Sequence, residues 1–432
     1  MEKYNYLKHA IKIVKKLIES EGNVDNNIIN FLLNSNKNTK YSQKFMKKIC
    51  SKKKSNINLS GFTLLHKCVI LTAKYPNLNN ILRNYFNVFF AFNDSINITI
   101  NEGWSALDLA SKYSKTLSTE ETVKLLIDAG ANVNLQDNNG WSALHIASKY
   151  SRTTSTEGTV KILIDAGANV NLQNNNGSTA LHLASRYSKT DSTEKTVKLL
   201  IDAGADVNLK DNYDCTALHI ASRYSKTDSS EETVKLLIDS GANVNLQDNQ
   251  EWTALHLASR YSKTTSTEET VKLLIDAGTN VNLQDNDGWT ALHLASINSK
   301  TDSTEETVKL LINSGANVNL QDNDGWTALH FASRYSKTDS TEETVKLLID
   351  SGANVNLQHN DGCSALHLAS RYSKSYSTEG TVKLLIDSGA NVNLQDNDGL
   401  SALHLASKYS KTDSTEETVK LLIDAGANIN LQ

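Results

Sequence analysis

Apolar residues fall on a helical spacing twice in every 37 residues from Ile100 to Gln432, and nine such stretches follow one another without a gap. Asp322 to Gln358 serves as the type. Asp322, Asn323, Asp324 and Gly325 spell a polar turn, with Gly325 suited to positive φ. Thr327 is placed to cap a first helix carried by Ala328, Leu329, Ala332 and Tyr335. The polar run from Ser336 to Asp339 breaks that helix, and Ser340 to Glu343, S-T-E-E, reads as a capping box opening a second one. Val345, Leu348 and Ile349 share one face of the second helix at i, i+3 and i+4, while Leu347 points elsewhere, which suits a helix held between neighbours. Gly352 stands where a C′ glycine ends a helix. Two helices of about ten residues cannot bury this apolar surface alone, so the pattern predicts a stack of units stabilised by nearest-neighbour interfaces.

The first part of the chain departs from the period. Leu7, Ile11, Val14 and Ile18 make one helical stripe, and Ile28, Ile29, Leu32 and Leu33 another, so residues 1–56 read as a helical N-terminal cap or a decayed repeat. Residues 57–99 read as a degenerate repeat, with Gly61 to His66 as its turn and first helix and Leu78 to Phe90 as its second. Residues 100–432 are the nine regular repeats. In the last of them Leu421, Leu422 and Ile423 are as apolar as their internal counterparts, which predicts an uncapped face.

The run G-W-T-A-L-H-F-A at Gly325 to Ala332 and the run V-K-L-L-I-D-S-G-A-N-V-N at Val345 to Asn356 resemble the ankyrin repeat, and the resemblance covers all nine units. Ala328 stands where that family usually has proline, and the link between helices is about four residues longer than in a 33-residue unit. Long, asparagine-rich, proline-poor arrays of this kind look like those of giant DNA viruses of amoebae. The resemblance implies an all-α, helix-turn-helix solenoid with short turn or hairpin tips. It also implies a non-enzymatic scaffold, without cofactor, that binds a partner protein (a host protein in the viral setting) through a concave face lined by turn tips and first helices.

Charge adds an asymmetry. The net charge is −4, but residues 1–60 hold 13 Lys against 4 acidic residues, so the array is strongly acidic. The basic run Lys44 to Lys54 has an import or nucleic-acid reading and a plain one as a solvated helix end; it lacks aromatics interleaved to stack on bases, so nucleic acid is not the expected partner. Cys50, Cys68, Cys215 and Cys363 show no paired spacing, which points to a reducing, cytoplasmic setting. No signal-like apolar region opens the chain, and Phe86 to Phe92 is too short to span a bilayer. The asparagine abundance reads as compositional bias.

Candidate chemistry is sparse. Histidine recurs once per repeat, at His145, His182 and onward to His404, but repeats ~8–10 Å apart cannot share a metal with bonds near ~2 Å. A structural bond from turn to first helix is the reading the resemblance implies. Asp108 takes this place in the first regular repeat and is expected to loosen its turn. Gly158 and Gly380 interrupt S-T-E-E, so those second helices are expected to fray. No nucleophile–base pair, phosphate loop or metal cluster is spelled, so catalytic and metal residues are both expected to be none.

Comparing repeats within the chain separates frame from payload. The residue before the first-helix cap runs Trp104, Trp141, Ser178, Cys215, Trp252, Trp289, Trp326, Cys363, Leu400, and a packed site would not accept both Ser and Trp. A second column, near the end of the first helix, is Lys or Arg followed by Tyr, broken only at Ile297-Asn298. Trp, Tyr and Arg dominate interface hot spots. The candidate partner-binding residues are therefore Trp252, Trp289, Trp326, Arg260, Tyr261, Arg334 and Tyr335, with stacking between repeats as the plain alternative for the aromatics. Asp214 and Glu251 replace the turn glycine in this region, and Glu251 is expected to be strained. Against the scaffold stands a structural or self-assembling protein, self-associating through its uncapped C-terminal repeat.

Overall fold

Each repeat is built by its caps. In the computed structural model, which describes residues 64–70, 72–73, 79 and 96–431, Thr327 sits at extended φ/ψ and opens the helix Ala328–Tyr335. Its hydroxyl accepts from the His330 N–H, and the Thr327 N–H donates to His330 Nδ1 at 3.0 Å. Histidine thus fills the role that Glu or Gln plays in the usual capping box. The second helix, Glu342–Asp350, ends at Gly352 (φ 87°). There Gly352 N–H donates to Ile349 O and Ala353 N–H to Leu348 O, the two bonds of a Schellman motif.

The S-T-E-E reading needs correction. The N-cap of the second helix is Thr341, whose hydroxyl accepts from Thr344 N–H at 3.1 Å; Ser340 lies outside the helix. Ser340 is fully buried and donates instead to Ser296 O of the preceding repeat at 2.7 Å. Two adjacent hydroxyls compete for the cap, and the one that also reaches the previous repeat is drawn away. The caps at Thr156 and Thr378 are likewise intact, since Gly158 and Gly380 are not the bonded positions, and both helices run their full nine residues.

Within each of two compact units the first helices pack on first helices of adjacent repeats and each packs on its own second helix. Asn212 closes one compact unit and Tyr213 opens the other. In the first unit, Leu64–Val69 packs on Ala106–Tyr113, followed by helix pairs to Glu194–Asp202. In the second, the pairs run from Ala217–Tyr224 and Glu231–Asp239 to Ala402–Tyr409 and Glu416–Asp424. The core is an alternation of Ala and Leu from first helices with Val and Leu from second ones: Leu329, Ala332, Val345 and Leu348 are buried to 1 % exposure or less. Burying each such Leu contributes about 1.5–3 kcal/mol. In the last repeat Leu422 is fully buried while Ile423 and Ile429 are exposed. Among the described residues the turn tips carry only isolated antiparallel bridges, such as Gln358–Ser364. Residues 1–56, with the basic run, lie outside the described residues, as does the helix expected at 78–90 apart from Asn79.

Repeats are joined by polar ladders as well as by the core. Thr344 donates to Ser299 Oγ at 2.7 Å, and Ser299 and Ser340 hydroxyls meet at 3.1 Å, so the long helix link carries a buried hydroxyl spine. On the outer side Asn354 N–H donates to Asn319 Oδ1 at 2.7 Å, and Asn319 Nδ2 to Gly352 O at 3.1 Å. Gln321 Nε2 donates to Gln358 O, 37 residues on, at 3.1 Å. The asparagines of this ladder are therefore structural. These bonds link positions 33 to 45 apart, which become neighbours only once repeats stack.

One first-helix hydroxyl in each regular repeat but the last has no such use. Ser333 Oγ is buried without a partner, and the Ser333 carbonyl already accepts from Ser377. Ser333→Ala removes an unsatisfied donor and inserts the best helix former, so it is expected to raise stability by about 1 kcal/mol. A urea midpoint that falls instead would overturn this account.

Candidate functional site

The turn places the variable column. Asp322 Oδ1 accepts from Asp324 N–H at 3.0 Å and Trp326 N–H at 2.7 Å, which closes the loop and fixes the tryptophan beside its cap. The Trp326 carbonyl accepts from His293 Nε2 of the preceding repeat at 3.2 Å. Because Nδ1 of each such histidine accepts from a backbone N–H, the proton lies on Nε2. The same bond runs from His219 to Trp252 O and from His256 to Trp289 O, both at 3.1 Å. The histidines thus tie cap to helix, as expected, and His219, His256 and His293 also tie their repeat to the next.

Burial pushes the histidines down: His145, His256, His293 and His330 fall to about 4, although their carbonyl bonds favour the charged form. Asp108 performs the near half of the same task, accepting from Ser105 N–H at 2.8 Å and Ser105 Oγ at 2.7 Å, so its cap is complete rather than loosened. Burial raises the Asp108 carboxyl to about 7, against the pull of those Ser105 bonds. Cys363 is raised to about 12, first by burial and then by Asp396, so it is no nucleophile at neutral pH.

Within each unit the tryptophan column and the cation–tyrosine column lie together. Arg334 lies 5.5 Å from the Trp326 ring, 5.1 Å from Tyr335 and 4.8 Å from Tyr372 of the next repeat. Arg260 lies 5.5 Å from Trp252 and 5.3 Å from Tyr261, and Arg223 5.0 Å from Tyr261. In the first unit Lys149 lies over Trp141, Tyr150 and Tyr187. Cations and tyrosines alternate along each unit, each contact worth ~0.5–2 kcal/mol according to its desolvation. The tyrosines thereby act as spacers between repeats. The tryptophans are half-buried. Their rings rest on the first helices, which reconciles Trp with Ser at one position.

The seven candidate residues fall into three groups. Trp252, Arg260 and Tyr261 form one cluster; Trp326, Arg334 and Tyr335 form another. Trp289 has a different neighbour, Phe331, with ring centroids 4.4 Å apart. The break at Ile297-Asn298 leaves no tyrosine for Arg260 to meet in the next repeat. A cavity of about 340 Å³ lies between the turn tips, lined by Trp252, Arg260, Asp285, Trp289 and Leu294. Phe331 and His359 join this surface although neither was singled out beforehand. Both depart from their columns, where other repeats have Leu or Ile and, from Asp137 onward, Asp or Asn, and that departure is readable in the sequence. Asp214 and Glu251 hold φ of 59° and 60°, so Glu251 takes the positive φ at which it was expected to be strained.

Among the described residues no group of three or more His, Cys, Asp or Glu is placed to hold a metal, and no helix is long and apolar enough to cross a membrane. Stacked helix pairs joined by turns, with an aromatic and cationic surface along the first helices, define a helical repeat protein of the kind that presents a surface to other molecules. The profile described as ankyrin repeats (3 copies) matches residues 71–157, 107–211, 151–248, 193–268, 225–304, 255–342 and 335–432. The chain belongs to the ankyrin-repeat family, whose members are generally protein–protein interaction modules and non-enzymatic scaffolds. No curated protein matches it.

Proposed function

We propose that this protein holds a partner protein against the surface formed by its turn tips and first helices, in the repeats around Trp252, Trp289 and Trp326. The observation that carries the reading is the interruption at Ile297-Asn298. The cation–tyrosine stack stops there, and in the same repeats a cavity lined by Arg260 lies beside Trp252 and Trp289; the buried Arg260 Nε has no hydrogen-bond partner, as in Arg334 and Arg371. Half-buried Trp beside an unsatisfied Arg is the composition of an interface hot spot. The acidic array disfavours nucleic acid as the partner, and Cys215 and Cys363, neither in a disulfide, support a reducing, cytoplasmic setting. The long asparagine-rich period supports a viral source and a host protein as partner.

Affinity capture with mass spectrometry, comparing the native protein with Trp252→Ala, Trp289→Ala, Trp326→Ala combined, tests this once circular dichroism shows that both fold alike. Prey captured by the native protein is expected to be lost with the triple variant. Unchanged prey would move attention away from this surface. Sedimentation velocity over a range of concentrations separates partner binding from self-association, which would weaken when Leu421 and Leu422 are made polar.

A further inference from the structure

One first-helix position decides whether the space between neighbouring tryptophans is filled. Phe331 holds it in its repeat, and its ring centroid lies 4.4 Å from that of Trp289 and 4.9 Å from that of Trp326. The residue is only 8 % exposed, so a ring at this place is buried. Trp326 also carries His359, whose plane lies within 5° of its own and whose Nε2 is buried without a partner. One repeat earlier Leu294 stands at the position of Phe331, with Trp252 and Trp289 in the places of Trp289 and Trp326. Leucine has no ring to set between the two indoles, and here lies the cavity of about 340 Å³.

The cavity can be entered from solvent. Gln250, Asn286 and Asp287 belong to its lining and are exposed, and both indoles are half-buried; Leu294 is its buried floor. Its charge is negative. Asp285 and Asp287 line it against Arg260, whose guanidinium already lies 5.5 Å from Trp252 and 5.3 Å from Tyr261. The third residue of the turn is an exposed carboxylate here and in the next three repeats, at Asp287, Asp324, Asp361 and Asp398. Burial raises the Asp285 and Asp322 carboxyls, and nearby carboxylates raise them further: Asp287 acts on the first, Asp324 and Asp285 on the second. Negative charge is thus concentrated along these tips.

We propose that the cavity between Trp252 and Trp289 takes an aromatic side chain of the partner protein, carried on a segment with Lys or Arg beside it. The incoming ring stands where Phe331 stands one repeat on, against two indoles that favour offset or edge contacts with it. A buried aromatic anchor within a polar rim is the arrangement of an interface hot spot. The carboxylates of the tips attract the flanking cations and repel an acidic segment. The inference rests on the protein-binding reading above and adds the chemistry of one contact.

The array supplies the variants that test this. Leu294→Phe fills the cavity with the residue that fills the next space, and Phe331→Leu empties the next space; both residues already serve at this position, so folding is kept. The probe is the peptide Lys-Gly-Phe-Gly-Lys carrying para-fluorophenylalanine, followed by fluorine NMR. Leu294→Phe is expected to weaken its binding by about tenfold or more, and Lys-Gly-Leu-Gly-Lys to displace it at least about tenfold less well than the unlabelled Phe peptide. Phe331→Leu is expected to raise the number of peptides bound per chain by one. The Glu-flanked counterpart is expected to bind more weakly, by a margin that narrows as salt is added. No binding, binding that survives Leu294→Phe, equal displacement by the Leu peptide, or a count unchanged in Phe331→Leu would overturn the proposal. If capture of the natural partner is lost with the tryptophan variant yet kept with Leu294→Phe, the protein-binding surface stands and the aromatic pocket falls.

Discussion

Acidification from pH 7 to pH 4 is expected to unfold the protein, in a window set by its buried histidines. The unfolded chain binds a proton at each histidine near 6.5, whereas folded His66, His145, His256, His293 and His330 refuse it until about 4. Each therefore contributes stability that is complete above pH 6.5 and is lost as the pH falls toward 4, about 3 kcal/mol per histidine by linkage. The loss has a structural counterpart. A protonated Nδ1 cannot accept from Thr290 or Thr327 N–H, so the cap opens with the same proton. Three groups act in the other direction. Asp108, raised to about 7, stabilises the fold below its ordinary range and weakens it as the pH rises toward 7. Asp285 and Asp322, raised by burial, offset part of the acid loss nearer the carboxylate range. Urea midpoints followed by circular dichroism between pH 7.5 and 4 measure the balance, and a midpoint unchanged down to pH 4.5 would refute it. His293→Gln keeps an N3 side chain able to accept from the cap and to donate onward, so it should fold and lose the titration of one site.

The architecture was legible because it depends on period and cap chemistry, which are local. Gly325, Gly352 and Thr327 do what their positions imply. What was not legible depends on stacking. The choice between Ser340 and Thr341 as cap is settled by Ser296 of another repeat, and the asparagines acquire meaning only through partners in neighbouring repeats. The candidate surface shows the same division. Trp252 and Arg260 were each visible as column residues, but the contact between them arises because the turn folds back along the helix. Phe331 and His359 carry a signal, a departure within a column. Their consequence, an aromatic surface joining Trp289, Trp326 and an unpaired imidazole, requires the packed repeats.

Glu251→Gly is expected to stabilise the second compact unit by about 1–3 kcal/mol, the range for a non-glycine residue held at positive φ. Glu251 sits at φ 60°, where six of the regular repeats from Gly140 to Gly399 have glycine at 75° to 82°. It also has a Cβ where the fold leaves no room. At Gly325 an added Cβ would lie 2.9 Å from Asn360 N, and at Gly288 2.7 Å from Asn323 N. The next turn yields at Glu251: Asn286 N–H reaches Gln250 O at 3.3 Å and Asn286 Nδ2 reaches Asn249 O at 3.4 Å, against 3.1 Å and 2.9 Å for the matching bonds of Asn323. Removing the side chain relieves the backbone and lets the turns close, so the Asn286 amide should also exchange its hydrogen more slowly. Gly325→Glu makes the reverse change in a sound turn and should destabilise by a similar amount. If Glu251→Gly leaves both the urea midpoint and Asn286 exchange unaltered, the turn carries no strain. If it stabilises the fold but weakens partner capture, the strained turn beside Trp252 is part of the binding surface, held open at the expense of stability.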